Sequence, residues 1–200
     1  MRIVPWWALL SAATAPVLLI VGWVVAATLQ TQGYDPVHQT ISTLASLGAT
    51  DRWVMTLALF ALGACHMVTA LGLRAAALTG RITLACGGAA SIAVALNPEP
   101  PRGPSAQHTA ATAVGFSLLA AWPLLAVRLD PATPWPLRPV ASLLASAAMF
   151  CCAGWFMVEM WDHGPAGTVE RILTTGQSIW PLVVAGACAL AAARVTRAPG

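Results

Sequence analysis

The sequence contains no lysine and few charged residues of any kind. Asp, Glu, Lys and Arg together make up 8% of its 200 residues, whereas a soluble domain carries roughly 25%. Hydrophobic residues reach 58%, and long apolar stretches in such a background are typical of membrane-spanning helices. The arginines are dispersed singly, so the net charge of +3 does not indicate a nucleic-acid-binding surface.

The sequence also lacks the short motifs of nucleotide, metal and disulfide chemistry. It has no P-loop, dinucleotide-binding glycine motif or GxSxG sequence, which argues against nucleotide and nicotinamide chemistry. It has no HExxH, HxxxH or DDxxD sequence, so we expect no bound metal and no other cofactor, although histidines of separate helices can converge on an ion. The five cysteines fall in apolar segments without CxxC spacing and are interpreted as packing residues.

Six apolar stretches are long enough to cross a bilayer, which takes about 20 residues. They cover residues 6–29, 53–73, 82–97, 108–127, 139–160 and 169–193, and the third is the shortest. The first stays apolar for too long to be a signal peptide. Loops rich in Pro, Gly and Asp separate the stretches. We predict one all-α domain over residues 1–200, a polytopic bundle of six transmembrane helices.

Arginine placement predicts the orientation of this bundle. If the spans alternate, seven arginines flank one side and three flank the other, and the positive-inside rule places the seven-arginine side and both termini in the cytoplasm of a cell-membrane protein. Acids contribute little to orientation, so their clustering on the outer side indicates a function there. The acids and histidines of that side are Asp35, Asp51, Glu99, Glu159, Asp162, Glu170, His38, His108 and His163.

The first outer loop has the pattern of a short helix. That helix would run from His38 to Leu47, with Asp35 and Pro36 as its cap and first turn and Gly48 as its end. We expect it to lie across the outer mouth of the bundle as a lid or plug.

Glu159 and Asp162 are the first candidate catalytic residues. They lie three residues apart at the outer end of the fifth span and share one helix face with Trp155. A carboxylate at membrane depth is costly and indicates a function. Alternatively, both lie in the headgroup layer beside Trp161, as part of an interfacial belt.

His66 and His108 are candidate bases or ligands. His66 lies about 20 Å along the second span, on a stripe with Gly63 and Thr69 that should face the bundle interior. A hydrogen bond to a threonine or a carbonyl would explain His66 without any chemistry. His108 follows Ser105, a natural N-cap of the fourth span, and is equally consistent with an interfacial histidine that has no role.

Asp51 and the tryptophans complete the candidate set. Asp51 precedes Arg52 and Trp53 and is a natural N-cap of the second span. Nine tryptophans accompany one tyrosine and four phenylalanines. Desolvated indole faces stabilise cations by up to about 2 kcal/mol, although a second interfacial belt would also explain them. The candidates for lining a substrate site are Trp23, Trp53, Trp155, Trp161, Trp180, His38 and Ser42.

The stretch YDPVHQTISTLASLGA, residues 34–49, resembles the first outer loop of the domain-of-unknown-function 998 family of bacterial membrane proteins. Residues 51–53, 63–66 and 103–108 also resemble that family, and the resemblance covers nearly the whole chain. It implies a six-helix membrane protein and brings no established chemistry. The positions that match best are His38, Ser42, Asp51, His66 and His108.

The chain is also similar in size, helix number, tryptophan content and use of carboxylates to small integral-membrane terpenoid cyclases, without matching a linear motif of theirs. The favoured hypothesis is an enzyme that cyclises a polyprenyl substrate. Glu159 or Asp162 would donate the proton, His108 would orient that acid, and His66 would accept the terminal proton.

Two further functions fit the same residues. A membrane lipid hydrolase would use the histidines with Asp51 and Ser42. A non-catalytic lipid-binding, transport or accessory protein would use the outer acids in salt bridges with Arg102 and Arg171, although no internal repeat typical of transporters is evident. In every case the expected partners are the bilayer and a lipid or isoprenoid molecule, with no nucleic acid.

Overall fold

The computed structural model describes residues 4–31 and 33–197, with side chains placed as far as Arg194. It contains six α-helices, and no strand occurs in this part of the chain. All six helices are long and apolar enough to cross a membrane, which confirms the predicted six-helix bundle. The helices are α1 (Trp6–Thr28), α2 (Trp53–Gly72), α3 (Leu78–Leu96), α4 (Ala106–Leu125), α5 (Pro139–Trp161) and α6 (Ala166–Arg197).

Helix α3 begins four residues earlier than its hydropathy predicts, at Leu78 instead of residue 82. The additional turn contains Arg81, whose guanidinium group donates to the carbonyl oxygens of Ala70 and Leu71 at 2.8 and 2.9 Å. These are among the last carbonyls of α2, which have no partner inside that helix. Arg81 lies in α3 and caps the end of α2. Because these bonds satisfy its charged group, α3 can begin before Arg81 instead of after it.

The helices pack in chain order and form a closed ring. Each contacts the next, and α6 returns to pack against α1. Helix α6 touches α2 and α4 at only a few residues, which leaves space in the middle of the ring. Helices α2 and α3 approach each other closely where Gly63 meets Gly88. A Cβ atom on either glycine would collide with the carbonyl oxygen of the other.

The two ends of the bundle differ in their loops. One end, called here the acidic end, carries the α1–α2, α3–α4 and α5–α6 loops. The other end carries the α2–α3 and α4–α5 loops and is called the arginine end. A buried apolar cluster at the arginine end includes Leu73, Trp122 and Leu137. At the acidic end, Ile41 and Leu44 of the α1–α2 loop pack among buried side chains of α1 and α2.

The α1–α2 loop contains a 3-10 turn, Ser42–Ala45, in place of the predicted helix from His38 to Leu47. Two side chains bond to carbonyl oxygens that such a helix would use for itself. The Tyr34 hydroxyl donates to the carbonyl oxygens of Gln39 and Thr40, each at 3.0 Å. Arg171 donates to the same Gln39 oxygen and to that of Pro36. The loop is consequently fixed by distant side chains instead of by its own backbone.

The caps predicted for two of the spans have different outcomes. Ser105 is the N-cap of α4, as predicted, because its hydroxyl accepts from the backbone N–H of His108 at 3.3 Å. The prediction that Asp51 caps α2 is wrong. Arg52 occupies the cap position without a side-chain bond. Asp51 adopts a positive φ of 48°, and its carboxylate accepts from the indole N–H of Trp53 at 3.1 Å.

Candidate functional site

An internal cavity lies between α2, α3, α4 and α6, beneath the α1–α2 loop. Its volume is about 60 Å³, measured as the space open to the centre of a water-sized sphere, and one water molecule needs about 10–15 Å³ of such space. The lining stretches are residues 59–66, 87–94, 112–119 and 170–177. Each covers seven residue steps, so the cavity is about 10 Å long at a rise of 1.5 Å per residue.

His66 lines this cavity and is only 1% exposed. Neither ring nitrogen has a hydrogen-bond partner among the described residues. The interpretation of His66 as a histidine bonded to a threonine or a carbonyl is therefore wrong. The hydroxyl of Thr69, one turn further along α2, is also without a partner in this part of the chain. Since buried polar groups are normally hydrogen-bonded, an unpaired imidazole at a cavity wall requires an explanation.

Glu170 also lines the cavity and is 4% exposed. Its Oε2 atom accepts a hydrogen bond from the backbone N–H of Ile41, in the middle of the α1–α2 loop. Thr174 and Gln177 follow on the same face of α6 and line the cavity below Glu170. The Gln177 Nε2 atom donates to the carbonyl oxygen of Phe116 at 3.0 Å, whereas its Oε1 atom has no partner among the described residues.

Arg171 holds the α1–α2 loop in place, and this loop forms the roof of the cavity through Ile41 and Ser42. Its Nη1 atom donates to the carbonyl oxygens of Gly167 at 2.7 Å and Pro36 at 2.9 Å, and its Nη2 atom donates to the Tyr34 hydroxyl. The guanidinium carbon lies 5.7 Å from the ring centre of Trp23 and 5.8 Å from that of Tyr34. The Trp23 ring therefore lies against a cation of the protein itself, and the role of Trp23 in lining a substrate site stays a prediction.

Two side chains of the α1–α2 loop, Tyr34 and Asp35, have pKa values shifted from their ordinary ones. Burial raises the pKa of the Tyr34 phenol, against the hydrogen bond and positive charge of Arg171, which lower it. The hydrogen bond from His38 lowers the pKa of Asp35, and the backbone N–H of Val37 adds to this effect. The Asp35 carboxylate and the His38 Nδ1 atom lie 2.6 Å apart at the exposed surface.

An open polar cleft lies at the surface of the acidic end. The space in it that is open to the centre of a water-sized sphere is about 310 Å³. Its walls include His38, Glu99, Glu159 and His163. Glu99 lies 3.7 Å from the Nε2 atom of His108, whose Nδ1 atom is 2.9 Å from the carbonyl oxygen of Asn97. Glu159 accepts from the indole N–H of Trp155 at 2.7 Å. Within residues 4–31 and 33–197, no three His, Cys, Asp or Glu side chains form a group able to hold a metal ion.

A protein-family model matches residues 13–187 of this sequence. The family is described as "Protein of unknown function (DUF998)". The chain belongs to the DUF998 family. The match includes every cavity-lining residue of this DUF998 protein, from Leu19 to Gln177, and it confirms the resemblance noted from the α1–α2 loop. No curated protein and no solved structure matches the chain.

The structure does not bring the predicted site residues of this DUF998 protein together in one place. His66 and Ser42 line the cavity, whereas His38 and Glu159 line the open cleft. Trp180 packs edge-to-face on Trp135 with ring centres 6.0 Å apart. His108 is buried beside the cleft and bonds to the end of α3. The exposed members are Asp51, Trp53, Trp155, Trp161 and Asp162.

The cavity wall contains five polar residues that the sequence interpretation did not single out as site residues: Ser91, Thr112, Glu170, Thr174 and Gln177. Glu170 had been grouped with the outer acids as a partner for arginine. A helical projection of the sixth span finds it, because Glu170, Thr174 and Gln177 recur at steps of four and three residues. Thr112 follows His108 by four residues in the fourth span and carries a similar signal.

Proposed function

We propose that this DUF998 protein is a membrane-embedded enzyme that acts on an isoprenoid or lipid chain by acid/base chemistry. One observation carries the proposal: Glu170 and His66 line the same buried, largely apolar cavity. Ionisable side chains inside transmembrane helices are costly and commonly mark functional sites. The acid of this proposal is Glu170, in place of Glu159 or Asp162.

The two groups lie at opposite ends of the cavity. Helices α2 and α6 both start at the acidic end. Counted from that end, Glu170 is the first cavity-lining residue of α6, whereas His66 is the last cavity-lining residue of α2. An acid and a base so separated flank a bound molecule instead of bonding to each other. This arrangement suits a reaction that gains a proton at one end of a chain and loses one further along.

The favoured reaction is an acid-initiated cyclisation. Glu170 donates its proton to a terminal double bond of the substrate, which leaves a carbocation. The electron pair of a neighbouring double bond then forms a carbon–carbon bond to that cation and closes a ring. His66 accepts a proton from the carbon beside the final cation, and the released C–H electron pair forms a new double bond. One proton enters and one leaves, so the product is an isomer, and exchange with solvent restores both groups.

The cavity wall is compatible with a cationic intermediate. Phe116 is its aromatic lining residue, and its ring packs edge-to-face against Phe156 with centres 5.7 Å apart. Aromatic faces attract cations, while the surrounding Leu19, Leu59 and Leu62 keep bulk water away from the reacting carbons. The substrate therefore meets a phenylalanine where the sequence had favoured tryptophans.

The same proposal includes the orientation of the protein. Under the positive-inside rule the arginine end and both termini lie in the cytoplasm of a cell-membrane protein. The cavity roof and the open cleft then lie at the outer face. A substrate would enter from the outer half of the bilayer, beneath the α1–α2 loop.

Comparison of membrane lipids tests the proposed function. Cells expressing the wild-type protein, Glu170→Gln, Glu159→Gln or Asp130→Asn at equal levels are extracted and their lipids separated by chromatography with mass detection. We expect a wild-type-dependent isomer, equal in mass to its precursor, that is lost in Glu170→Gln. Asp130→Asn, which alters a carboxylate in the loop at the arginine end, is the control and should retain it.

Each other outcome contradicts a defined part of the proposal. Loss of the isomer in Glu159→Gln but not in Glu170→Gln would return the acid to the open cleft. Lipids that do not depend on the wild-type protein would contradict an enzymatic function. A lipid that co-purifies with the protein and is never converted would instead indicate a binding protein.

A further inference from the structure

The polar atoms of the cavity wall restrict what can bind there. Both ring nitrogens of His66, the hydroxyl of Thr112 and the Oε1 atom of Gln177 have no partner among the described residues. His66 and Gln177 are each 1% exposed, and all three residues line the same cavity. Buried polar groups without a partner destabilise a fold, so their common cavity indicates a ligand that carries hydrogen-bonding groups.

The chemistry of these atoms defines the complementary group. The Gln177 Oε1 atom is an amide oxygen and can only accept a hydrogen bond. The amide nitrogen donates to the carbonyl oxygen of Phe116, which fixes the orientation of the amide group. The ligand must therefore donate an O–H or N–H to the Oε1 atom. A neutral imidazole such as that of His66 offers one N–H donor and one acceptor nitrogen. A hydroxyl group satisfies both residues, since it donates to Gln177 and accepts from His66, and this leaves the second His66 nitrogen for proton transfer.

The charges around the cavity exclude a strongly anionic group. None of the described lining residues is an arginine or a lysine. Arg171, next to the lining residue Glu170, directs its N–H groups towards the loop and Tyr34. A diphosphate or carboxylate normally requires such cations or a metal ion, and a buried charge without them is very costly. Glu170 itself would add repulsion when ionised.

We propose that the cavity binds an uncharged isoprenoid alcohol, with its hydroxyl between Gln177 and His66 and its chain extending towards Glu170. This inference rests on the proposed function for the isoprenoid nature of the chain. The hydroxyl anchor at the deep end places a double bond at the opposite end beside the acid. The lining extends about 10 Å along the helices, so a chain of farnesyl length has to fold back within the cavity or displace Ile41 and Ser42 from the roof.

Thermal stability of the detergent-purified protein with a matched series of ligands tests this inference. The probes are farnesol, farnesyl diphosphate and farnesene, which share one chain and differ in the end group. We expect farnesol to raise the Tm at lower concentrations than either of the others. In Gln177→Leu the apparent affinity for farnesol should fall about tenfold, as for one lost hydrogen bond, while that for farnesene stays unchanged.

A variant outside the cavity serves as the control. Gln107→Leu makes the same substitution at an exposed position of α4 outside the cavity and should bind farnesol like the wild type. If Gln177→Leu does not fold, the comparison of the three probes on the wild type still decides the question.

Three outcomes separate this inference from the proposed function. Diphosphate binding as tight as farnesol binding, or undiminished farnesol binding by Gln177→Leu, would overturn the alcohol assignment. No binding of farnesol, alongside a lipid product that still depends on Glu170, would overturn the alcohol assignment and leave the enzyme proposal intact. Farnesol binding that depends on Gln177, without any Glu170-dependent product, would support the alcohol site and contradict the enzyme.

Discussion

Glu170 and Arg171 are neighbours in sequence and serve different parts of the fold. Consecutive residues of a helix do not face the same side, so the carboxyl group lines the cavity while the guanidinium group bonds to the loop above it. The sequence interpretation expected arginines to neutralise acids in this region. It could not show that carbonyl oxygens of the α1–α2 loop, more than a hundred residues away in sequence, would satisfy Arg171 instead.

The unpaired imidazole of His66 gives a prediction at the scale of one residue. A structural histidine stabilises the fold, whereas a functional one can be replaced without loss of stability. In His66→Leu we expect a Tm equal to or above that of the wild type, because an apolar side chain removes buried polar atoms that have no partner. The lipid product should be lost at the same time.

Differential scanning fluorimetry of the purified variant, together with the lipid comparison, checks this prediction. Leu62→Ala is the matched control for packing. Leu62 is buried in the same helix, and its truncation should lower stability by about 2–5 kcal/mol. A Tm for His66→Leu that falls as far as that of Leu62→Ala would show that the imidazole is needed for the fold.

At the scale of elements, the α1–α2 loop shows where local sequence patterns stop being informative. Its apolar spacing predicted a helix, and Ile41 and Leu44 do pack into the bundle. The backbone follows a different path, because Tyr34 and Arg171 bind carbonyl oxygens of Pro36, Gln39 and Thr40. Hydrogen bonds from a distant helix leave no trace in the loop's own periodicity.

The contacts of Arg171 predict how this loop responds to mutation. In Arg171→Lys a single ammonium group cannot reproduce the planar fork that bonds to Pro36, Gly167 and Tyr34 together. Loss of one charge-assisted hydrogen bond, worth about 1.5–3 kcal/mol, should speed amide hydrogen exchange of residues 37–45 by about 10–100-fold.

Hydrogen–deuterium exchange with mass spectrometry measures this change. Arg102→Lys is the control, since Arg102 is an exposed arginine at the same end of the bundle, and its exchange in residues 37–45 should match the wild type. Equal exchange in Arg171→Lys and the wild type would contradict the view that Arg171 holds the roof of the cavity closed.

For the whole molecule, composition and charge placement were sufficient to predict six helices and the segregation of acids to one end. They could not predict the cavity. Sequence spacing shows that Glu159 and Trp155 share a helix face, and the structure pairs them with each other at the edge of the open cleft. Which faces of six helices turn inward depends on the order of the ring, and the hydrophobic pattern of nearly uniformly apolar helices does not encode that order.

The acidic end also has a simpler explanation than its composition indicated. Four of its six acids pair with nearby groups in or beside the loops: Asp35 with His38, Asp51 with Trp53, Glu99 with His108 and Glu159 with Trp155. Glu170 is different, because it is buried and lines the internal cavity. The asymmetry of charge is therefore largely loop chemistry, and the functional hypothesis depends on one acid inside the bundle.

Deuterium incorporation tests this central claim most directly. Membranes containing the wild-type protein are supplied with the precursor lipid in D2O, and the isomer is analysed by mass spectrometry. If Glu170 gives a solvent-exchangeable proton to the substrate and His66 removes another from a different carbon, each product molecule gains one deuterium. The Glu170→Gln variant then forms no deuterated product. A product without deuterium, or a deuterated product from Glu170→Gln, would contradict the account.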